Sequence, residues 1–385
     1  MEIRIATQEE KTQVKDLWNY SFQDTPQYAD YYFEKRYKQK NNLVLVREGE
    51  LVASLLINPY VLHIGGSRKK VSYIVGVSVE PQYRGEGYSS ALLKKTLSIL
   101  YEGGEDLVLL MPIDTSIYRR YGFINTFFQD SFFASVKGRP SQRSALSLKK
   151  AISTREEDIK DLCVLYERAM KNKYVHVQRM QEDFAIRLDE AEREGGTAYF
   201  FVREGEKVGY FFFFDEYEKD KAMVQELVVF DTDCVSKLMT FLYQHQTQFS
   251  EAVVQPVDPR RFQLGIGFDN QIEHKIRPFM MSRVLHAQNC LRDHLRFSSD
   301  VVIRIEDEMI KENSASYFCS KNRVQKLEED EVWDVRMSIE ALTLLVMRQA
   351  TVEELSSSSL LEFRNEGFVF LQEDSLGENY SNDYV

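Results

Sequence analysis

The sequence predicts an α/β chain of mixed α+β sheets in which one folding unit is used twice and a smaller α+β unit follows. Three observations carry this. The pentapeptide VREGE occurs at 46–50 and again at 202–206, each time between apolar runs. Three further landmarks recur in the same order, offset by roughly 150 residues: TQEE at 7–10 with TREE at 154–157, VKDLW at 14–18 with IKDLC at 159–163, and GF at 122–123 with GF at 267–268. Collinear repetition at that spacing points to a duplicated domain and not to a short-period solenoid. After about Leu285 the correspondence stops and a different pattern begins. A chain of 385 residues also exceeds what one hydrophobic core usually serves.

Taken in order, Thr7 with Glu10 and Thr154 with Glu157 predict capping boxes at the starts of two helices. Each VREGE predicts a hairpin tip, with Gly49 or Gly205 supplying the permissive backbone. Residues 74–79 are β-rich, Pro81 stops that strand, Gly85 and Gly87 punctuate a loop, and helical periodicity resumes through Ala91, Leu92, Thr96 and Leu100. Residues 107–111 read as another buried strand. Polar KGRPSQRSALS, at 137–147, predicts the linker between the copies. Beyond it, VVIRIED at 301–307 reads as a strand, SIEALTLLVMRQ as an amphipathic helix starting near Ser338, and GFVFLQ at 367–372 as a last strand. These signals divide the chain into 1–138, 148–285 and 286–385. On composition alone the acidic tail EDSLGENYSNDYV reads as disordered.

With 43% hydrophobic and 28% charged residues, the chain has the balance of folded domains. A net charge of −11 argues against nonspecific nucleic-acid binding and favours cationic small molecules as partners. The four cysteines, Cys163, Cys234, Cys290 and Cys319, form no CxxC pair, which predicts buried reduced thiols and no metal site. With no apolar leader and no run of about 18 apolar residues, no membrane span and a cytoplasmic location are expected.

The chemistry concentrates at 73–123. A glycine loop at a helix N-terminus exposes unpaired backbone N–H groups beside the positive end of the helix dipole, an arrangement suited to a pyrophosphate, and Arg84 could add a charge-assisted contact. Neither GxxxxGK[ST] nor GxGxxG spacing is present. What is present is strand, R-x-x-G-x-S, helix, with Arg84, Gly87 and Ser89 at the marked positions. This resembles the acetyl-CoA motif of the GNAT acetyltransferases, usually written Q/R-x-x-G-x-G/A. Downstream, Tyr118 is followed by Gly122 and Phe123, which resembles the Y-x-x-x-G-F segment whose tyrosine protonates the departing CoA thiolate in that superfamily. The second copy has Asp231 and Asp233 opposite the phosphate loop and Gln263 opposite Tyr118, so it is expected to keep the scaffold and lose the chemistry.

One complete and one degenerate GNAT fold followed by a small α+β domain of sterol-carrier-protein type resembles the bacterial enhanced intracellular survival family, whose members include aminoglycoside N-acetyltransferases. The resemblance implies an acetyl-CoA-dependent N-acetyltransferase acting on a polycationic amine acceptor such as an aminoglycoside, assembled as a homohexamer. It implies that Val77, Ser78 and Val79 line the pantetheine arm and that Arg84, Gly85, Glu86, Gly87, Tyr88, Ser89 and Ser90 hold the pyrophosphate. Ile113 and Asp114 would flank CoA further along, and Tyr118 would be the general acid. The general base would be the α-carboxylate of Val385, on a tail returned to the first domain. An amine that titrates near 10.4 is protonated at neutral pH and cannot attack a thioester until a base removes that proton. Asp24 matches an acidic substrate-binding position of the family; it also reads as an ordinary helix-terminal aspartate. Lysine or protein amines as acceptors, a longer acyl chain, and a non-catalytic acyl-CoA-responsive scaffold are the other functions compatible with these residues.

Overall fold

The structure, a computed structural model, describes residues 1–22, 24–137, 144–216, 220–328, 333–364, 370–371 and 376–382. The first copy runs β1 (Glu2–Ile5), α1 (Lys11–Ser21), α2 (Pro26–Lys35), β2 (Asn42–Arg47), β3 (Glu50–Ile64), β4 (Ser67–Val79), α3 (Tyr88–Glu102), β5 (Leu107–Leu110), α4 (Thr115–Arg119) and β6 (Ile124–Ser135). The second repeats this order with one short strand added: β7 (Ser147–Lys150), α5 (Glu156–Met170), the added β8 (Val175–Val177), α6 (Gln181–Arg193), β9 (Thr197–Arg203), β10 (Glu206–Glu216), β11 (Lys221–Val229), α7 (Thr232–Gln244), β12 (Glu251–Pro256), α8 (Pro259–Gly265) and β13 (Glu273–Val284). The third unit comprises α9 (Ala287–His294), β14 (Val301–Glu306), β15 (Ala315–Ser320), β16 (Arg323–Lys326), β17 (Val335–Ser338), α10 (Ile339–Val346), α11 (Val352–Ser357) and β18 (Leu361–Phe363), and the tail adds β19 (Asn379–Tyr380). No helix among the described residues is long and apolar enough to cross a membrane.

The two VREGE segments form the same turn. Glu48 and Gly49 have φ of 55° and 87°, Glu204 and Gly205 of 50° and 90°, and paired positive φ values are what a two-residue type I′ hairpin requires. The capping boxes do not form. The N-caps are Glu10 and Arg155, neither of which makes a side-chain cap bond. Glu10 instead accepts Thr7 N at 2.7 Å and binds the Arg4 guanidinium, whose hydrogen bond draws the Glu10 carboxyl down to about 2. Most of the expected linker, 138–143, lies outside the described residues.

The two copies share one sheet, in the order β1-β2-β3-β4-β5-β13-β6-β12-β11-β10-β9-β7. The last strands are exchanged. β13, from the second copy, pairs with β5 (Met281 opposite Leu110, Val284 opposite Leu107), while β6, from the first, pairs with β12. Each copy therefore completes the other, and no sequence signal announced it.

A bulge interrupts the fourth strand of both copies. Leu56 faces Val75 and Ser54 faces Ser78, so Gly76 and Val77 together oppose Leu55, and Gly76 has a φ of 63°. In the second copy Phe212 faces Gln225 and Tyr210 faces Val228, which places Glu226, at φ 49°, in the position of Gly76. One extra residue shifts the alternation of side chains by one position. Val71, Tyr73 and Val75 accordingly pack in the cluster with Trp18 and Tyr32, whereas Val77 and Val79 turn to the opposite face and join Leu92, Leu97 and Tyr118.

The third unit is a five-stranded sheet in the order β16-β15-β14-β17-β18. As expected, β14 covers the VVIRIE run, and Ser338 caps α10 by accepting Ala341 N. Of the expected last strand only Phe370 and Leu371 are described, with Leu371 bridged to Phe297. The tail departs from the disorder its composition suggests: Asn379 and Tyr380 pair with Val175 and His176, and Ser381 and Asn382 are buried.

All three units meet at Arg283. Its guanidinium donates to Tyr121 O in the first copy and, at 2.7 Å, to both carboxylate oxygens of Asp307 in the third unit. Asp307 is otherwise satisfied by Met309 N, Ile310 N and Asn313 Nδ2 at 2.9–3.0 Å. A Cβ on Gly122 would collide with Arg283 and Ile339, which explains that glycine. Asp307→Asn is expected to leave a buried guanidinium undercompensated and to lower stability by about 3–5 kcal/mol in urea unfolding, while Arg283→Met with Asp307→Asn, which removes both charges and keeps an acceptor for the Met309 and Ile310 amides, is expected to lose less.

A second prediction concerns the seam between copies, where the His63 and His176 rings stack at 4.7 Å across β3 and β8. Burial, with the His63 charge next, lowers the His176 pKa to about 4. Because this lies below the ordinary 6.5, the stabilising contribution is present above pH 6.5 and is lost as pH falls from there through about 4. The thermal midpoint should drop over that window, and His176→Gln should flatten the drop relative to the parent.

Candidate functional site

β4 pairs with β5 only as far as Ile74 opposite Leu110. Beyond that point the β5 side of Val77 and Val79, both half-buried, pairs with no strand among the described residues, while Ser78 is buried and donates to Gly76 O at 3.2 Å. The chain then turns through Pro81 and Arg84 into α3, whose N-cap is Gly87, at φ 85°, with no side-chain cap and no acidic residue in the first turn. The N–H groups of Tyr88, Ser89 and Ser90 therefore lack an intrahelical acceptor. A Cβ at Gly85 or Gly87 would project into open space, so the glycines leave a bare backbone cradle.

Charges around the cradle are arranged to suit an anion. Arg84 donates to Val79 O at 3.3 Å and lies 5.3 Å over the Tyr20 ring. Glu86, the one carboxylate in the loop, is held by Arg47 at 2.9 Å and accepts the Tyr88 hydroxyl at 2.9 Å, which neutralises it. Strand edge, glycine loop and helix N-terminus thus suit the amide-bearing arm and diphosphate of CoA. Past β5, Ile113 is 74% exposed at the mouth, and Asp114 caps α4 by accepting Ser116 N at 2.8 Å.

Tyr118 lies on α4 in the apolar cluster that contains Ile74, Leu92 and Leu110. Its hydroxyl makes no hydrogen bond among the described residues, and burial pushes its pKa up to about 12. The phenol therefore keeps its proton throughout the neutral range.

The second copy differs at each of these points. Pairing of β11 with β12 continues past the bulge to Leu227 opposite Pro256, so the strand edge is closed. At the α7 N-terminus Asp231 accepts Cys234 N at 3.1 Å, and Arg203 binds Asp231 at 2.9 Å and Asp233 at 3.3 Å. The position of the cradle is filled by the chain's own carboxylate. Gln263, opposite Tyr118, approaches His274 at 3.4 Å on the surface.

Asp24 precedes α2, whose cap is Thr25, so Asp24 is not the helix cap. It accepts Trp18 Nε1 at 2.9 Å. The protein around it raises its pKa against the Trp18 hydrogen bond, although part of the side chain stays open to solvent. Trp18 covers the β4 bulge so closely that a Cβ on Gly76 would lie 2.5 Å from its ring, and it stacks on Tyr32 at 4.8 Å. Asn58 donates to Tyr32 at 3.0 Å and lines a cavity of about 710 Å³ between the copies, with Arg36, Tyr60, Lys70, Arg179 and Asn382. Sequence reading missed this cavity and the bulge; Gly76 inside a β-rich run was the available signal. Val385 lies outside the described residues.

Residues 2–125 match the acetyltransferase (GNAT) domain family, and residues 176–284 match a second acetyltransferase (GNAT) domain family. The chain thus carries two acetyltransferase (GNAT) domains in tandem and is an acyltransferase built on them. Its fold is similar to that of a probable N-acyltransferase from Enterococcus faecalis (TM-score 0.77, 19% identity, 94% of each chain covered). It is also similar to a GCN5-related N-acetyltransferase from Anabaena variabilis (0.76, 18%, 94% of each) and to Eis1 from Mycobacterium abscessus (0.72, 18%, 95% of each). No curated protein matches the chain in sequence.

The cradle makes a binding prediction. Gly87→Val forces a branched residue into left-handed backbone, at a cost of about 1–2 kcal/mol, and fills the cradle with side chain. Calorimetric titration should show the acetyl-CoA Kd rising about tenfold or more with the fold retained; an unchanged Kd would remove the loop from the binding site.

Proposed function

We propose that the chain is an acetyl-CoA-dependent N-acetyltransferase whose working site is in the first copy. The observation that carries the reading is the internal contrast. In the first copy the β4 edge beyond Ile74 is free and the α3 N-terminus is uncapped, whereas the second copy closes the strand edge and caps its helix with Asp231.

Acetyl-CoA supplies an activated acetyl thioester. Val77, Ser78 and Val79 line its arm, with the backbone of Val77 and Val79 on the open strand edge bonding it, and Arg84 with residues 85–90 holds the diphosphate through amides and the helix dipole. Ile113 and Asp114 flank the bound molecule near the mouth. Tyr118 gives its proton to the sulfur as the thiolate departs. The base is the tail's, assigned by the resemblance to the α-carboxylate of Val385, and it removes the proton that otherwise blocks the amine lone pair. Asp24, anchored by Trp18 beside the bulge, draws the cationic amine in.

Asp24 supports the polycationic acceptor that the family resemblance implies, such as an aminoglycoside. The cavity supports a second reading. Lys35, Arg36, Lys38 and Lys70 outnumber Glu105 and Asp183 among its lining side chains, which favours an amine that also carries a carboxylate or phosphate. The family resemblance alone supports the sterol-carrier-like third domain and the hexamer.

The test is thiol release from acetyl-CoA with polyamines, aminoglycosides, lysine peptides and amino acids as acceptors. Transfer to none of them would favour the acyl-CoA-responsive scaffold. Tyr118→Phe should lower kcat about 100-fold while the acetyl-CoA Kd stays within about twofold; equal rates would remove Tyr118 as the acid.

A further inference from the structure

The second copy retains the strand bulge of an acyl-CoA site and puts a carboxylate in it. Where the first copy has Gly76 covered by Trp18, the second has Glu226, and Cys163 takes the landmark position of Trp18. Beside Cys163 runs Arg179, whose backbone oxygen lies 3.7 Å from Cys163 Sγ and whose guanidinium lies 4.7 Å over the Tyr166 ring. Arg179 Nη1 is 2.7 Å from both Glu226 carboxylate oxygens, and the Tyr210 hydroxyl donates to one of them at 2.8 Å. Burial alone would raise the Glu226 pKa, yet the Arg179 charge and these hydrogen bonds lower it, so the buried group is a carboxylate.

The C-terminal segment is seated on this node. Asn382 Nδ2 donates to Glu226 at 3.3 Å, the Tyr380 hydroxyl approaches it at 3.5 Å, and Asn382 Oδ1 accepts Gln129 Nε2 of β6 at 3.2 Å. Asn379 donates to Thr126 O at 3.1 Å and Met347 O at 2.9 Å. Through β8 the segment joins β3 of the first copy, and Asn382 reaches the wall of the cavity that contains Asn58 and Tyr60. Glutamate in left-handed backbone costs roughly 1 kcal/mol or more and its desolvation adds to that, strain that glycine avoids at the same place in the first copy.

We infer that the second copy is a clamp: the buried Arg179–Glu226 node at its vestigial bulge holds residues 376–382 against the cavity and thereby positions the tail for acceptor turnover in the first copy. The inference rests on the reading of the first copy as the transfer site. Arg179 and Glu226 are positioning residues, since they act through the tail.

Two variants test it on the full chain. Tyr380→Phe with Asn382→Ala removes the tail's side of the node, and Arg179→Met with Glu226→Gly removes the node without leaving a lone buried charge. Amide hydrogen exchange over 376–382 should speed up at least tenfold in both. With the best acceptor of the panel, kcat should fall about tenfold while KM for acetyl-CoA stays within about twofold, a split that general loosening of the fold would not give. Wild-type protection of the tail in the Arg179 and Glu226 variant would overturn the clamp, and a freed tail with unchanged kcat would overturn the positioning role. If the parent acetylates no acceptor, the proposed reaction fails while the exchange measurement still decides the clamp.

Discussion

The bulge in the fourth strand of each copy sets two residues against one on the neighbouring strand, and that single insertion governs what the rest of each copy can do. In the first copy it moves Val77 and Val79 onto the face that carries α3 and α4, just where pairing with β5 stops. The free edge, the glycine cradle and Tyr118 are then on the same side of the sheet. Without the change of phase, Val77 and Val79 would pack under Trp18 and the edge would run on in the wrong alternation.

The copies diverged through correlated changes around that one point. Gly76 lets Trp18 lie directly on the backbone, and Trp18 in turn fixes Asp24. Where the glycine is replaced by Glu226 and the tryptophan by Cys163, Arg179 runs past the cysteine and pairs with the new carboxylate, which requires it. Neither change is tolerable alone: a carboxylate under a tryptophan would be an unpaired buried charge, and an arginine without it equally so. The same logic reaches the helix ends, where Gly87 leaves donors for a ligand and Asp231 consumes them.

Much of this was legible because local chemistry dictates it. A two-residue turn with φ positive at both positions selects Glu-Gly in both VREGE segments, and a strand that ends at proline before spaced glycines announces a loop at a helix start. The helix caps were misjudged because Thr7 and Thr154 satisfy the spacing rule while the helices start later, with Glu10 and Arg155 as their N-caps, and Glu10, which does accept Thr7 N, is also bound by Arg4. The exchange of β6 and β13 was invisible, since strand pairing is a long-range choice that alternation alone does not specify. The tail misled in the same way. Its polar residues look unfit for burial until Glu226 and Gln129 appear as their partners.

The exchanged strand also explains how a short helix can carry the proposed acid. α4 has five residues, too few to be stable by propensity, so its place is set by what grips its ends. At the start, Asp114 binds Ser116 N. At the finish, Tyr121 O is bound by Arg283, which reaches it only because β13 has crossed into the first copy and because Gly122 presents no side chain in the way. Arg283 is itself oriented by Asp307, whose loop is anchored in the third unit. The position of the Tyr118 hydroxyl is therefore transmitted from all three units through one buried guanidinium, which gives the strand exchange a physical reason to persist.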